Sequence, residues 1–203
     1  MEARRDSPKP KSPGGLIAIV IIIPVAVVAA TLAVSPSDYA LYSVIRAAGL
    51  LGYISVFLSC LSSALVREMM RYFGRPYLKV HHALAAVGIL LLSIHGMSVA
   101  WDSQSAGVFL PNLESTERFV SWGGPPAYWL IWIAVAAAFA RFTISRGWRA
   151  IHWLTYIAFL LATGHAVMLG TDFASQPARV AVYIMGGIVI AVFIRKRLVH
   201  MRG

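Results

Sequence analysis

The chain contains a single cysteine, Cys60, which lies inside an apolar run. One thiol cannot form an intrachain disulfide, a cysteine-ligated zinc or iron–sulfur centre, or a covalent haem attachment. Charged residues are also scarce, at 13% of the 203 residues, and only eight residues are acidic. Soluble domains carry about 25% charged residues, so this composition excludes a soluble globular protein.

Hydrophobic residues make up 59% of the chain, and most of them lie in long apolar runs. A helix needs about 20 mainly apolar residues to cross a hydrocarbon core of about 30 Å. We therefore predict an all-α, polytopic membrane protein that forms a six-helix transmembrane bundle. The six predicted spans are residues 16–34, 47–66, 80–101, 125–140, 149–171 and 180–194.

Two tails flank the predicted transmembrane domain, which covers residues 16–194. Residues 1–15 are polar, basic and rich in proline, which predicts a disordered tail. Residues 195–203 form a second basic tail. The first apolar run is longer than the core of about 7–15 residues in a signal peptide, which favours a retained helix.

The formal net charge of +10 is carried by the tails and loops, which indicates a topology signal rather than a surface for nucleic acid. Fifteen of the 18 lysines and arginines lie on one predicted face, in residues 1–15, 67–79, 141–149 and 195–203. The opposite face holds Arg46, Arg118 and Arg179. The positive-inside rule then places both termini in the cytoplasm. We predict a multi-pass protein of the plasma (inner) membrane.

Five histidines lie inside the third and fifth predicted spans, and four of them form two pairs. His81 and His95 are 14 residues apart in the third span, and His152 and His165 are 13 residues apart in the fifth. Ionisable side chains are costly at membrane depth and usually mark a functional site. Both helices run outward, so His81 shares a depth with His152, and His95 with His165. Imidazole pairs at two depths are typical of bis-histidine haem ligation, which predicts haem between helices 3 and 5.

Helix geometry favours His81 over its neighbour His82 as the ligand of the inner haem. The sequence alone does not decide between the two residues. Fourteen residues bring His81 within about 40° of the helix face that carries His95. The spacing in the fifth span is less regular, because 13 residues turn an ideal helix about 140° away from a shared face. Either that helix is distorted, for example near Gly164, or the two haems lie on different flanks of it.

Basic residues surround the expected position of the inner haem on the cytoplasmic side. Arg75, Lys79 and Arg149 are candidates to contact its propionates. The same charged surface is suited to dock an acidic electron donor, because complementary charge speeds encounter.

The segments LKVHHALAAVGILLLSIHGM and RAIHWLTYIAFLLATGHAV, with Arg46, Gly49 and Gly52 upstream, resemble the ferric reductase-like transmembrane domain. This superfamily includes ferric reductases, NADPH oxidases and the haem-binding membrane subunit of the bacterial periplasmic methionine sulfoxide reductase system. The resemblance covers roughly residues 46–194. It implies electron transfer across a membrane and two b-type haems, and we expect Arg46 to be among the residues that bind the cofactor. A single haem held by the deeper pair alone stays open as an alternative. The implied iron ligands are His81, His95, His152 and His165.

Ferric reductases and oxidases usually continue into a flavin- and NADPH-binding domain, whereas nine residues follow Ile194. We therefore expect no flavin-binding domain in this chain and a separate donor, either a cytoplasmic flavoprotein reductase or a quinol. The leading prediction is a reductase's membrane subunit that passes electrons to an acceptor on the outer face. Two alternatives stay open: a stand-alone ferric reductase or oxidase, and a haem-free structural or transport protein whose histidines bond to the backbone. Whether the chain is itself an enzyme also stays open.

Overall fold

The computed structural model describes residues 14–66, 70, 77–145 and 147–201, and the regular secondary structure of these residues is helical. Arg75 and most of the predicted tail 1–15 lie outside the described residues. The helices in chain order are α1 (Gly14–Val34), α2 (Ala40–Ala64), α3 (Tyr77–Asp102), α4 (Thr116–Ser121), α5 (Gly124–Phe139), α6 (Arg141–Ile144), α7 (Trp148–His152), α8 (Leu154–Leu169) and α9 (Gln176–Met201). Two 3₁₀ turns, Ala106–Phe109 and Thr171–Ala174, lie in the connections.

Among the described residues, four helical segments are long and apolar enough to cross a membrane: Ala40–Ser63, Leu78–Asp102, Trp148–Leu169 and Gln176–Leu198. Two shorter apolar helices are Val20–Val34 and Gly124–Phe139. The prediction of an all-α, multi-pass protein in a lipid bilayer is therefore confirmed. The count of six spans and the cytoplasmic placement of the termini stay predictions.

Two helix boundaries differ from the predicted ones. The second span begins at Ala40 rather than at residue 47, so Arg46 lies inside the helix. The last helix continues to Met201, so residues 195–201 of the predicted tail are helical. In both cases a basic residue ends the apolar run in the sequence, namely Arg46 and Arg195, but the helix continues beyond it.

The helices α2 and α3 form the closest packing in the fold. They run antiparallel, because Gly49 lies against His95 and Gly88 against Val56. A Cβ atom on Gly88 would be 2.9 Å from Cγ2 of Val56, so a larger residue would force the helices apart. Small residues at such contacts allow close approach of membrane helices, which have little hydrophobic force between them.

The start of α2 and the end of α3 are joined by Tyr39 and Asp102. The Tyr39 hydroxyl donates to the carboxylate of Asp102, at 3.0 Å from each oxygen. This hydrogen bond to a negatively charged group raises the pKa of Tyr39, because the carboxylate stabilises the protonated phenol that donates to it.

Two buried aromatic residues form a core between α2 and α8. One of them, Phe159, lies between His152 and His165 in the sequence. Phe159 of α8 is 1% exposed, and its ring stacks on Tyr53 of α2 with centroids 4.7 Å apart. The Tyr53 hydroxyl donates to Oγ1 of Thr163 at 2.9 Å, and the Thr163 hydroxyl donates to the Phe159 carbonyl at 2.8 Å. This core holds α2 and α8 in register, which fixes the heights of the side chains above and below it.

The fifth predicted span is interrupted at Trp153. Helix α7 ends at His152 and α8 begins at Leu154, and Trp153 forms a turn between them. The Trp153 N–H is shared between the carbonyls of Arg149 and Ala150, both at 3.2 Å, which marks a locally tightened turn. The α8 helix runs on through Gly164, so the helix is distorted at Trp153 and not near Gly164.

Candidate functional site

His81 and His152 line the same cavity, which we call the inner cavity. Its volume is about 230 Å³. Most of its wall is apolar, and its polar groups include Ser59, Arg149 and Lys196. The two histidines that the sequence assigns to the cytoplasmic depth are therefore brought together by α3 and α7.

His95 and His165 line a second cavity, the outer cavity, with a volume of about 380 Å³. Arg46 and Asp172 also line it. Ile131 of α5 contributes to the walls of both cavities, so a single side chain separates them at that point. The four histidines thus occupy two sites, one pair to a site.

Each of the four histidines uses Nδ1 to hydrogen-bond a main-chain carbonyl. The Nδ1–oxygen distances are 3.1 Å from His81 to Ser59, 2.9 Å from His95 to Ile45, 3.1 Å from His152 to Ala134 and 2.9 Å from His165 to Ser121. A carbonyl oxygen can only accept, so Nδ1 carries the proton in each ring. Nε2 therefore keeps its lone pair, and the neutral imidazole is in the form that ligates a metal.

Glycines next to the outer pair make room for its rings. A Cβ atom on Gly49 would lie 2.9 Å from Nδ1 of His95. A Cβ atom on Gly124 would lie 3.2 Å from Nε2 of His165. Larger residues at these positions would displace imidazoles that are otherwise fixed by their carbonyl bonds.

The donor set fits a haem better than a bare metal ion. Within the described residues, no group of three or more histidine, cysteine, aspartate or glutamate side chains is placed to hold a metal ion. A haem iron needs only two axial ligands from the protein, because its macrocycle supplies the other four.

The family model for the ferric reductase like transmembrane component matches residues 47–163, more than half of the chain. The chain belongs to this family. The resemblance inferred from the histidine spacing is therefore confirmed. The match includes His81, His95 and His152 and ends just before His165. Searches of curated proteins and of solved structures returned no match.

Membership of the ferric reductase-like family indicates a membrane electron-transfer role. Domains of this family generally bind haem. One alternative was a haem-free protein whose histidines only bond to the backbone. That alternative accounts for Nδ1, which is bonded to a carbonyl in all four rings. It assigns no role to Nε2.

The structure separates His81 from its neighbour His82. His81 lines the inner cavity, whereas His82 is exposed and is not among the residues that line either cavity. The centroids of the two imidazole rings are 5.8 Å apart. Their positions agree with the ranking of the two residues by helix geometry.

The four predicted basic residues differ in where they lie. Arg149 is exposed at the inner cavity and stacks over Trp148, with its guanidinium carbon 5.4 Å from the ring centroid. Lys79 is exposed and is not among the residues that line either cavity. Arg75 lies outside the described residues. Arg46 lines the outer cavity, where its partner is Asp172.

The ion pair of Arg46 and Asp172 is buried, because each side chain is 7% exposed. Nε of Arg46 lies 2.9 Å from Oδ1 of Asp172, and its other nitrogens bond the same oxygen and the Ser35 carbonyl. Each of the three guanidinium nitrogens therefore has a partner within the protein. Sequence reasoning placed Asp172 only in a loop, because its partner is 126 residues away.

Lys196 is a second residue that sequence reasoning missed, since it was assigned to the basic tail. It lines the inner cavity, and its Nζ donates to Oγ of Ser63 at 3.0 Å. A signal was present: Val182, Val189 and Lys196 recur every seven residues, and both valines are at most 3% exposed. Seven residues are close to two helical turns, so this spacing places Lys196 on the buried face.

Proposed function

We propose that this protein is a transmembrane electron-transfer subunit of a reductase in the plasma (inner) membrane. It binds one b-type haem between His81 and His152 and a second between His95 and His165. The observation that carries this proposal is the uniform hydrogen bonding of the four histidines, which leaves every Nε2 available beside a cavity. A haem held by these histidine pairs would supply one-electron transfer when bound.

The protein's own groups hold the ligands in place. A carbonyl that accepts from Nδ1–H fixes the rotation of the imidazole and increases its basicity. The apolar walls of both cavities keep water from the site, which influences the reduction potential. The Tyr53–Phe159 core between α2 and α8 keeps the two pairs at separate heights.

The direction of electron flow is proposed from charge. Fifteen basic residues lie on the predicted cytoplasmic face, and Arg149 is exposed where that face meets the inner cavity. Ferric reductase-like domains often pair with flavin-binding partners. The donor is then a cytoplasmic flavoprotein or a quinol, and the acceptor lies on the outer face.

Absorption spectroscopy tests the proposal directly. The purified protein should show a reducible, low-spin b-type spectrum with Soret and α bands, and haem extraction should give about two haems per chain, one for each pair of ligands. A protein that folds and remains monodisperse without any such bands would contradict the proposal. Surface ferric reduction by cells that produce this chain without a partner would instead favour the stand-alone reductase.

Donor docking by charge makes reduction of the inner haem sensitive to salt. Exposed charges are screened over about 10 Å at 0.1 M salt. Reduction by a soluble flavoprotein should therefore slow steeply with ionic strength, whereas reduction by a quinol should not. Replacing Arg141 with glutamate should also slow the flavoprotein reaction without changing haem content, because Arg141 is exposed and lines neither cavity.

The control for this experiment is Arg118→Glu, since Arg118 is equally exposed but lies on the opposite predicted face. Stopped-flow reduction of both variants at several salt concentrations measures the effect. Rates that do not depend on salt with any soluble donor would reject docking by charge and favour the quinol. A larger effect of Arg118→Glu than of Arg141→Glu would reverse the predicted topology.

A further inference from the structure

Lys196 places a positive charge inside the inner cavity. It is half-buried, whereas its neighbours Arg195 and Arg197 on the same helix are exposed. Its Nζ lies 3.0 Å from Oγ of Ser63 on α2, so the side chain reaches across from α9 toward the cavity. The seven-residue spacing to Val189 explains this direction, because Lys196 continues the buried face of α9.

Among the residues that the structure describes, the walls of the inner cavity carry positive charge without a balancing carboxylate. Lys196 and Arg149 both line the cavity, and none of its described lining residues is an aspartate or glutamate. The hydroxyl of Ser63, which Lys196 bonds, is neutral. A partly buried ammonium is stabilised when it is paired with an anion, because burial removes much of its hydration.

The outer cavity is different in this respect. Its guanidinium, on Arg46, is already neutralised by Asp172 inside the protein. The inner cavity is therefore the one whose lining leaves positive charge available to an anionic group on a ligand.

We propose that Lys196, assisted by Arg149, binds a carboxylate of the cofactor in the inner cavity and thereby raises the reduction potential of that cofactor. The inference rests on the proposed function, in which this cavity holds a b-type haem with two propionates. Lys196 acts here as a positioning residue, since its contact is with the edge of the macrocycle and not with the iron. A positive charge near the haem favours the reduced state, which carries one more electron.

Potentiometric titration of the purified protein tests the inference. The absorption of the inner haem is identified as the part of the spectrum that the His81→Ala substitution removes. Lys196→Gln removes the charge but keeps a polar group for Ser63, so the fold should survive. At the wild-type midpoint we expect about a tenfold fall in the ratio of reduced to oxidised inner haem, which is about 59 mV for one electron. Lys196→Arg should restore the wild-type value, and Arg118→Gln, at an exposed position on the opposite predicted face, should leave it unchanged.

A chemical control separates a bond to the carboxylate from a general effect of charge. Protein produced without haem is loaded either with haem b or with its dimethyl ester, whose carboxylates are blocked. Lys196→Gln should shift the potential with haem b and have little effect with the ester. An equal shift with both forms, or no shift with haem b, would overturn the inference. Failure of the wild-type protein to bind haem would instead reject the proposed function, so the two failures are distinguishable.

Discussion

Replacing His95 with alanine will remove the outer haem and stop electron transfer across the membrane. The substitution removes the Nε2 that the ring presents to the outer cavity, while the inner pair remains intact. Haem content should fall by about half, because one of two bis-histidine sites is lost. His165→Ala should have the same effect. His81→Ala and His152→Ala should remove the other half.

The matched control is His82→Ala, which changes a histidine on the same helix that is exposed at its surface. This variant should keep its full haem content and its reduced-minus-oxidised spectrum. Transmembrane transfer is measured in liposomes that contain an electron acceptor and are given a reductant outside. Equal loss of haem from all four variants, or one haem per chain in the parent protein, would show a single site. The deeper pair, His95 and His165, would then be retained as its ligands.

Replacing Asp172 with asparagine should strongly destabilise the fold. The change leaves the buried guanidinium of Arg46 without its charged partner, and breaking a buried pair in this way costs about 3–5 kcal/mol. The effect should appear as a lower free energy of unfolding in detergent. The double variant Arg46→Met with Asp172→Leu should recover much of the loss, because it removes both buried charges.

The chain offers a control in its exposed ion pair of Glu114 and Arg118. These side chains are 63% and 60% exposed, and Glu114→Gln should cost less than about 1 kcal/mol. The comparison should be made with and without haem. A small loss for Asp172→Asn in the haem-loaded protein alone would mean that another anion at the outer cavity can replace Asp172. A small loss in both states would contradict the importance of the ion pair.

The arrangement of the histidines could be predicted because it depends on periodicity and topology. Helices that run in the same direction place equivalent positions at equal depths, and the sequence fixes both spacings. The structure accordingly places His81 with His152 and His95 with His165. The close approach of α2 to α3 could also be expected from the small residues at Gly52 and its helical neighbours.

The ends of the helices and the partners of the charges could not be predicted in this way. A hydropathy pattern stops at the first charge, so Arg46 and Lys196 were both placed outside the spans. Arg46 is inside its helix because Asp172 neutralises it, and that partner is far away in sequence. The 13-residue spacing predicted either a distorted helix or haems on different flanks of it, and helix arithmetic cannot say at which residue a helix is distorted.

The turn at Trp153 also affects how the two sites could change during evolution. Inside a continuous helix, inserting one residue rotates everything beyond it by about 100° and shifts it by about 1.5 Å. Such an insertion within α8 would carry His165 away from its partner. At Trp153 the helical hydrogen bond to the Arg149 carbonyl is already shared with the Ala150 carbonyl, so we expect a change in length there to alter α7 and leave α8 in register. The inner site can therefore diverge in sequence and potential while the outer site is conserved.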